Sequence, residues 1–343
     1  MTSDNIPGFL PLTGLYEPSA IQQLPDGRFL VVEDEKEHSF SLVALSASGV
    51  VKSTPLKPGW FAGSDPFWKL EDLEGLAQDT SGYLYAITSH SLDDDGDEKK
   101  SRSRLVRFRI EANRVVEPVV AGGLKRALIA AHPILAAAAQ VTDVKSGAGL
   151  NIEALEIAPD RQRLLIGFRS PLQGGHAIIA GVENPSAIFD EEAEPQVSNT
   201  LQALDLGGHG IRGMAFVASL DGYLVISGPA SRELSEFGLW FWSGQPDAPA
   251  RCVTVPGLQG FEREEGGEPG CHRRRAANHH RQRRRQPQRR PLRPFCAAGA
   301  CATADCALTW QARYPARQAI ATKIIAINAR PAYVEALKHY IFA

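Results

Sequence analysis

The sequence predicts an all-β propeller of about five or six blades, and three observations predict it. A two-strand unit recurs four times, starting near residues 17, 72, 151 and 210. Each copy joins an apolar stretch to a second strand through a turn carrying Asp or Gly, as in Ile152 to Ile157 and Leu164 to Phe168 around Pro159-Asp160. Only one segment, Gly122 to Gln140, reads as a helix, whereas a parallel α/β sheet needs a helix between strands. Units of about four strands are too short to bury a face alone and stack radially. Their starts are somewhat wider apart than the usual roughly 40 to 50 residues per blade.

In chain order, residues 5 to 16 form an extended leader with Pro7, Pro11 and Gly14. The first unit runs into an alternating strand, Ser39 to Leu45, and Val50-Val51 begins the next pairing. Trp60, Phe61, Phe67 and Trp68 crowd the loop before the second unit, and such a cluster plugs the space between blades. The run Asp93-Asp-Asp-Gly-Asp-Glu-Lys-Lys100 has the look of a calcium loop. With Gly96 in sixth place, however, Arg102 occupies the twelfth, where a bidentate Glu is required, so it reads as a solvated hairpin tip before a strand at Arg104 to Ile110. The helix Gly122 to Gln140 is divided or kinked at Pro133 and explains the longest spacing in the series. A strand follows at Ala177 to Val182, then an acidic loop from Pro185 to Thr200. Further strands are expected at Leu201 to Leu206, Met214 to Val217, Tyr223 to Ser227 and Phe237 to Trp242.

The hydrophobic fraction of 43% is that of an ordinary globular protein, and the net charge of -2 conceals an asymmetry. Residues 271 to 343 hold 15 Lys and Arg against 2 Asp and Glu, leaving 22 against 37 for the rest. Cys252 stands alone in the body, so no cysteine pair there calls for an oxidising compartment. The first fifteen residues lack the pattern of a signal peptide, and Ala127 to Val141 is too short and too interrupted to span a bilayer. A cytoplasmic protein without membrane association is expected.

The strings Leu70-Glu-Asp-Leu-Glu-Gly-Leu-Ala77, Leu150-Asn-Ile-Glu153, Leu164-Leu-Ile-Gly-Phe-Arg-Ser-Pro-Leu172, Val182-Glu-Asn-Pro185 and Gly210-Ile-Arg-Gly213 resemble a bacterial family, domain of unknown function 3616. The resemblance extends over roughly residues 15 to 260 and implies a propeller-like fold without implying a reaction. More distantly the repeats are similar to phytase-like and gluconolactonase-like propellers, a resemblance that implies carboxylates at blade starts holding a divalent metal.

The expected organisation is a propeller over residues 1–265, its last blade incomplete, followed by an aberrant basic tail over 266–343. Cys271 to Pro294 has no strand or helix period. It reads either as an arginine-rich arm for nucleic acid or as an out-of-frame translation. A shift of one base turns His279 to Arg285 into Ile-Ile-Val-Ser-Asp-Asp-Gly under suitable synonymous codons, which is the strand and turn of a further repeat. Cys296, Cys301 and Cys306 do not have the spacing of a zinc knuckle.

Chemistry is expected where the repeats superpose. Alignment on Ala20, Gly75, Ala154 and Gly213 brings Ser19, Glu74, Glu153 and Arg212 to one position, with Glu17, Asp72, Asn151 and Gly210 two residues earlier. Strand alternation places both sets on one face, around the mouth of an axial channel, and Glu33, Asp34, His90 and Arg169 lie at the end of the partner strand. The candidate ligand-binding residues are therefore Glu17, Asp72, Glu74, His90, Asn151, Glu153, Arg169 and Arg212, with Glu74 and Glu153 as candidate ligands for Ca²⁺ or Mg²⁺. Alternatively, Glu74 and Glu153 pair with Arg169 and Arg212 and only close the ring. No Gly-x-Ser-x-Gly elbow or phosphate-binding glycine pattern is present, and Ser170 and His176 lack a partnered Asp. Two functions fit: a scaffold binding a small molecule or protein at its mouth, and a metal-dependent hydrolase of phosphates or esters.

Overall fold

A computed structural model of the chain describes residues 14–15, 17–34, 39–46, 51–59, 65–143, 146–231 and 237–253. They form four antiparallel sheets, each of four strands in plain up-and-down order. The first blade is β1 (Pro18–Gln23), β2 (Phe29–Glu33), β3 (Phe40–Leu45) and β4 (Val51–Pro55). The second is β5 (Leu73–Gln78), β6 (Leu84–Thr88), β7 (Leu105–Glu111) and β8 (Arg114–Ala121). The third is β9 (Asn151–Ile157), β10 (Leu164–Ser170), β11 (Ala177–Val182) and β12 (Gln202–Leu204). The fourth is β13 (Gly210–Val217), β14 (Gly222–Gly228), β15 (Gly238–Trp242) and β16 (Arg251–Cys252).

The turn between the first two strands uses the same chemistry in three blades. Asp26 accepts the N–H of Arg28 (3.0 Å), Asp79 that of Tyr83 (2.8 Å) and Asp160 that of Gln162 (3.0 Å). A carboxylate that bonds the backbone a few residues on replaces the ladder bonds lost at the turn.

The first strands pack side by side, β1 on β5, β5 on β9 and β9 on β13, which is the inner wall of a propeller. Gly75 shows how close these strands come. A Cβ there would lie 2.7 Å from the backbone nitrogen of Leu155 in the next blade. Alternate side chains of each sheet face its two neighbours. Leu30, Val32, Phe40 and Leu42 of the first blade meet Leu73, Leu84, Ala86 and Phe108 of the second. Phe67 is fully buried in that seam, its ring stacked on Phe40 at 5.0 Å and edge-on to Phe108 at 5.1 Å. The aromatic loop thus acts as the expected plug; Trp60 and Phe61 lie outside the described residues.

Several expectations are corrected. The described residues hold four blades, not five or six. The helix expected over Gly122 to Gln140 is, as read, divided at Pro133, into α1 (Leu124–Ala131) and α2 (Pro133–Ala138), because Pro133 has no N–H to continue α1 and instead opens α2. Pro185 likewise begins a helix inside the segment expected to be loop, α3 (Pro185–Asp190), which buries Ile188 and Phe189. Strand β8 was hidden by its polar pattern, since it is an outer strand with exposed Arg114, Glu117 and Pro118. Cys252, the one cysteine among the described residues, is disulfide-bonded. No described helix is long and apolar enough to cross a membrane. Residues 266–343, with the arginine run and Cys296, Cys301 and Cys306, lie outside the described residues.

Candidate functional site

Every first strand carries an irregularity at the same place. Pairing slips between Pro18 and Ala20, between Leu73 and Gly75, between Ile152 and Ala154, and between Ile211 and Gly213. The skipped residues are Ser19, Glu74, Glu153 and Arg212, the four brought into register by the repeat alignment. A bulge re-aims the side chain of its extra residue, so one device repeated four times sets the chemistry of one end of the arc, called the mouth below.

The mouth divides by charge. Between the first and second blades, carboxylate oxygens of Asp34, Asp72 and Glu74 all lie within 4.8 Å of one another. Asp72 and Glu74 are buried and Asp34 is half-buried. Asp72 holds its place with a left-handed backbone (φ 62°), and its Oδ2 accepts from Ser89 Oγ, from Ser91 Oγ and from the guanidinium of Arg102. Asp34 is fixed through its own N–H, which donates to the carbonyl of Glu17 at 2.9 Å. Glu17 therefore takes part through its backbone, at the edge of the acidic group.

Between the third and fourth blades the charges are paired. Glu153 Oε1 accepts from Arg169 Nη1 at 3.2 Å and from Arg212 Nη1, and all three side chains are at most 15% exposed. Arg169 also binds the carbonyls of Pro229, Ala230 and Ser231, tying the loop after β14 to β10. A Cβ at Gly210 would overlap the Arg169 carbonyl, so only glycine lets β13 start there. Of the two glutamates expected in the ring, Glu153 is salt-bridged and Glu74 lies beside Asp34 and Asp72.

His90 and Asn151 are placed differently. Ser89 and Ser91 turn to Asp72, and His90 between them is wholly buried on the other side, where Lys125, Arg104 and Glu98 are its charged neighbours. Its Nδ1 lies 2.9 Å from the Thr88 carbonyl and its Nε2 has no partner among the described residues. Desolvation lowers its pKa from 6.5 to about 4, so the ring is neutral, with Nδ1 as the donor. Asn151 is half-buried, and its Oδ1 accepts no hydrogen bond among the described residues.

Sequence reasoning named Asp34 without counting it among the site residues. The signal was its equivalence to Arg169, which reaches from one blade towards the next just as Asp34 does. In the acidic loop Asp93 is engaged within the chain. Asp93 Oδ1 accepts the N–H groups of Asp95 (3.0 Å) and Asp97 (2.8 Å) and Oδ2 pairs with Lys99 at 2.8 Å, which holds its carboxyl down at about 2.

Fold and site together define a β-propeller with a charged mouth. Residues 126–259 match the family described as "Protein of unknown function (DUF3616)", so the resemblance read from the motifs is found, over a shorter span than expected. No curated protein matches the chain at a significant level. Similar solved structures include hydrazine synthase of Kuenenia stuttgartiensis, at 12% identity and TM-score 0.35, over 74% of this chain and 53% of that one. A putative oxidoreductase (glucose dehydrogenase) of Thermus thermophilus is similar at 15% identity and TM-score 0.36, over 70% and 85%. The PQQ-bound aldose sugar dehydrogenase of Streptomyces coelicolor is similar at 14% and 0.35, over 71% and 83%. The chain spans about half the length of the first of these.

Proposed function

We propose that this protein is a binding propeller whose mouth takes a small polar ligand, with a divalent cation held by Asp34, Asp72 and Glu74. The observation that supports it is the convergence of three carboxylates from two successive blades within 4.8 Å. Hard oxygen donors in that number suit Ca²⁺ or Mg²⁺. The donors also fit on position, because the bulge at Glu74 and the left-handed turn at Asp72 fix both side chains before any ion arrives. Glu153 lends itself less to a cation, since two arginines share its oxygen, against the single Arg102 on Asp72 and three carboxylates in that cluster. Its role in this reading is to hold the far wall of the mouth rigid.

Thermal melting of chelator-treated protein with and without Ca²⁺ or Mg²⁺ tests the reading. An ion that binds only the folded chain at about a hundred times its Kd adds roughly 2.7 kcal/mol, a readily measured rise in Tm. Glu74→Gln should abolish the rise, whereas an unchanged Tm with both ions would sink the proposal. A metal-dependent hydrolase is the second reading, favoured by the same cluster, because a cation there would polarise a phosphate or ester oxygen. Cation-dependent turnover of p-nitrophenyl phosphate or p-nitrophenyl acetate, lost in Glu74→Gln, separates the two.

A further inference from the structure

Several polar groups gather round the start of α1, where His90 is buried on the side away from the mouth. Gly123 caps the helix in a left-handed conformation (φ 79°) with no side-chain bond, and the N–H groups of Leu124, Lys125 and Arg126 meet no acceptor among the described residues. Aligned peptide dipoles make such an end attractive to an anion. Arg104 is half-buried, and its guanidinium makes no hydrogen bond or ion pair among the described residues; only its backbone is bonded, to Thr88. It packs at Gly122, where a Cβ would lie 2.7 Å from Nη1, so the glycine before the cap makes room for the charge. Lys125, in the first turn, is only 11% exposed, and its ammonium is paired at 3.3 Å with the exposed Glu98.

His90 adds a group of the opposite kind. It is wholly buried, with Lys125 and Arg104 as its cationic neighbours. Because Nδ1 can only donate to the Thr88 carbonyl, Nε2 presents a lone pair, and no described residue supplies it with a donor. A buried polar atom left unsatisfied is costly, and such atoms mark places that something else fills. Two cations and three N–H groups call for an oxyanion, whereas the Nε2 lone pair calls for a proton donor. Phosphate meets both demands, since a phosphate group keeps its last proton down to a pKa of about 6, while sulfate has no proton to give. We propose that the start of α1 is a phosphate site, in which Arg104, Lys125 and the first-turn N–H groups hold the charged oxygens and His90 Nε2 accepts the P–O–H. Gly122, Gly123 and Arg104 are all half-buried and form its opening. The acids at its edge, Glu98 and Glu194, are exposed and paired with Lys125 and Arg126.

Calorimetric titration of the full-length chain with inorganic phosphate, glycerol 3-phosphate and sulfate, at about pH 6 where the proton is present, tests this. Phosphate should bind at one site per chain, at least about tenfold more tightly than sulfate, which lacks the bond to His90. It should also move a ring ¹⁵N signal that is missing from His90→Gln. Arg104→Met should weaken phosphate at least about tenfold and leave the Tm of the ion-free chain unchanged, because that guanidinium has no partner to lose. Tighter binding of glycerol 3-phosphate assigns the site to the phosphate end of a larger molecule, and binding of the free ion as tight or tighter assigns it to inorganic phosphate. No binding of either phosphate, sulfate bound as tightly, or an affinity unaltered in Arg104→Met would each overturn it. None of these outcomes bears on the cation site.

Discussion

Glu153 and Arg212 hold the same place in successive repeats, and they bind each other. The bulge that turns Glu153 out of β9 recurs in β13 and turns Arg212 back to meet it. With Arg169 on the other side, the carboxylate is the shared anchor of two blades, so its loss takes the counter-charge from two largely buried guanidinium groups. Glu153→Ala should cost about 3–5 kcal/mol in urea unfolding, and Arg212→Met less. In a double-mutant cycle the two changes should be clearly non-additive.

Phe67 tests the inter-blade plug. The residue is fully buried between Phe40 and Phe108, so Phe67→Ala should cost about 3–5 kcal/mol. Trp68→Ala, at the rim of the same cluster and only partly buried, should cost less. Denaturant midpoints of the two variants provide the comparison.

Glu156 makes stability depend on pH. Its carboxylate is turned between β9 and β13, where Oε2 accepts the Phe216 N–H at 2.8 Å and Oε1 the Ile157 N–H at 2.7 Å. Although the residue as a whole is half-buried, desolvation of that inward carboxylate outweighs the two bonds and raises its pKa from 4.5 to about 7. The folded chain binds this proton more tightly than the unfolded one. The contribution is therefore complete below about pH 4.5 and lost as the pH rises through 7, an effect on the order of 3 kcal/mol. Glu156→Gln should flatten that part of the stability profile.

His90 acts in the opposite sense. Its folded pKa of about 4 lies below the ordinary 6.5, so the neutral ring contributes fully above pH 6.5 and the contribution is lost as the pH falls through 4. His90→Gln should remove a loss of stability on acidification, over the window in which Glu156 produces a gain. Unfolding curves of the two single variants between pH 4 and 8 separate the two groups.

The sequence made the repeat positions legible because strand period and turn chemistry are local. Ser19, Glu74, Glu153 and Arg212 aligned without any knowledge of the bulges that give them their role. The pairing of Glu153 with Arg169 and Arg212 was among the expected alternatives, but which glutamate would meet the arginines was not legible, since it depends on neighbouring blades. Glu74 joins Asp34 across the seam between the first two blades, and Glu153 joins Arg212 across the last. His90 shows the limit of reasoning by position: at the end of β6 it lies beside the mouth in sequence, but alternation turns its ring away. The outer strand β8 escaped notice because a half-solvated edge lacks an apolar pattern.

The acidic seam between the first two blades is the proposed cation site. Isothermal titration of chelator-treated protein with CaCl₂ and with MgCl₂ addresses it directly. One ion should bind per chain, with the heat lost in Glu74→Gln and Asp34→Asn and retained in Arg169→Lys. No binding heat from either ion, or heat that persists in both carboxylate variants, would contradict it.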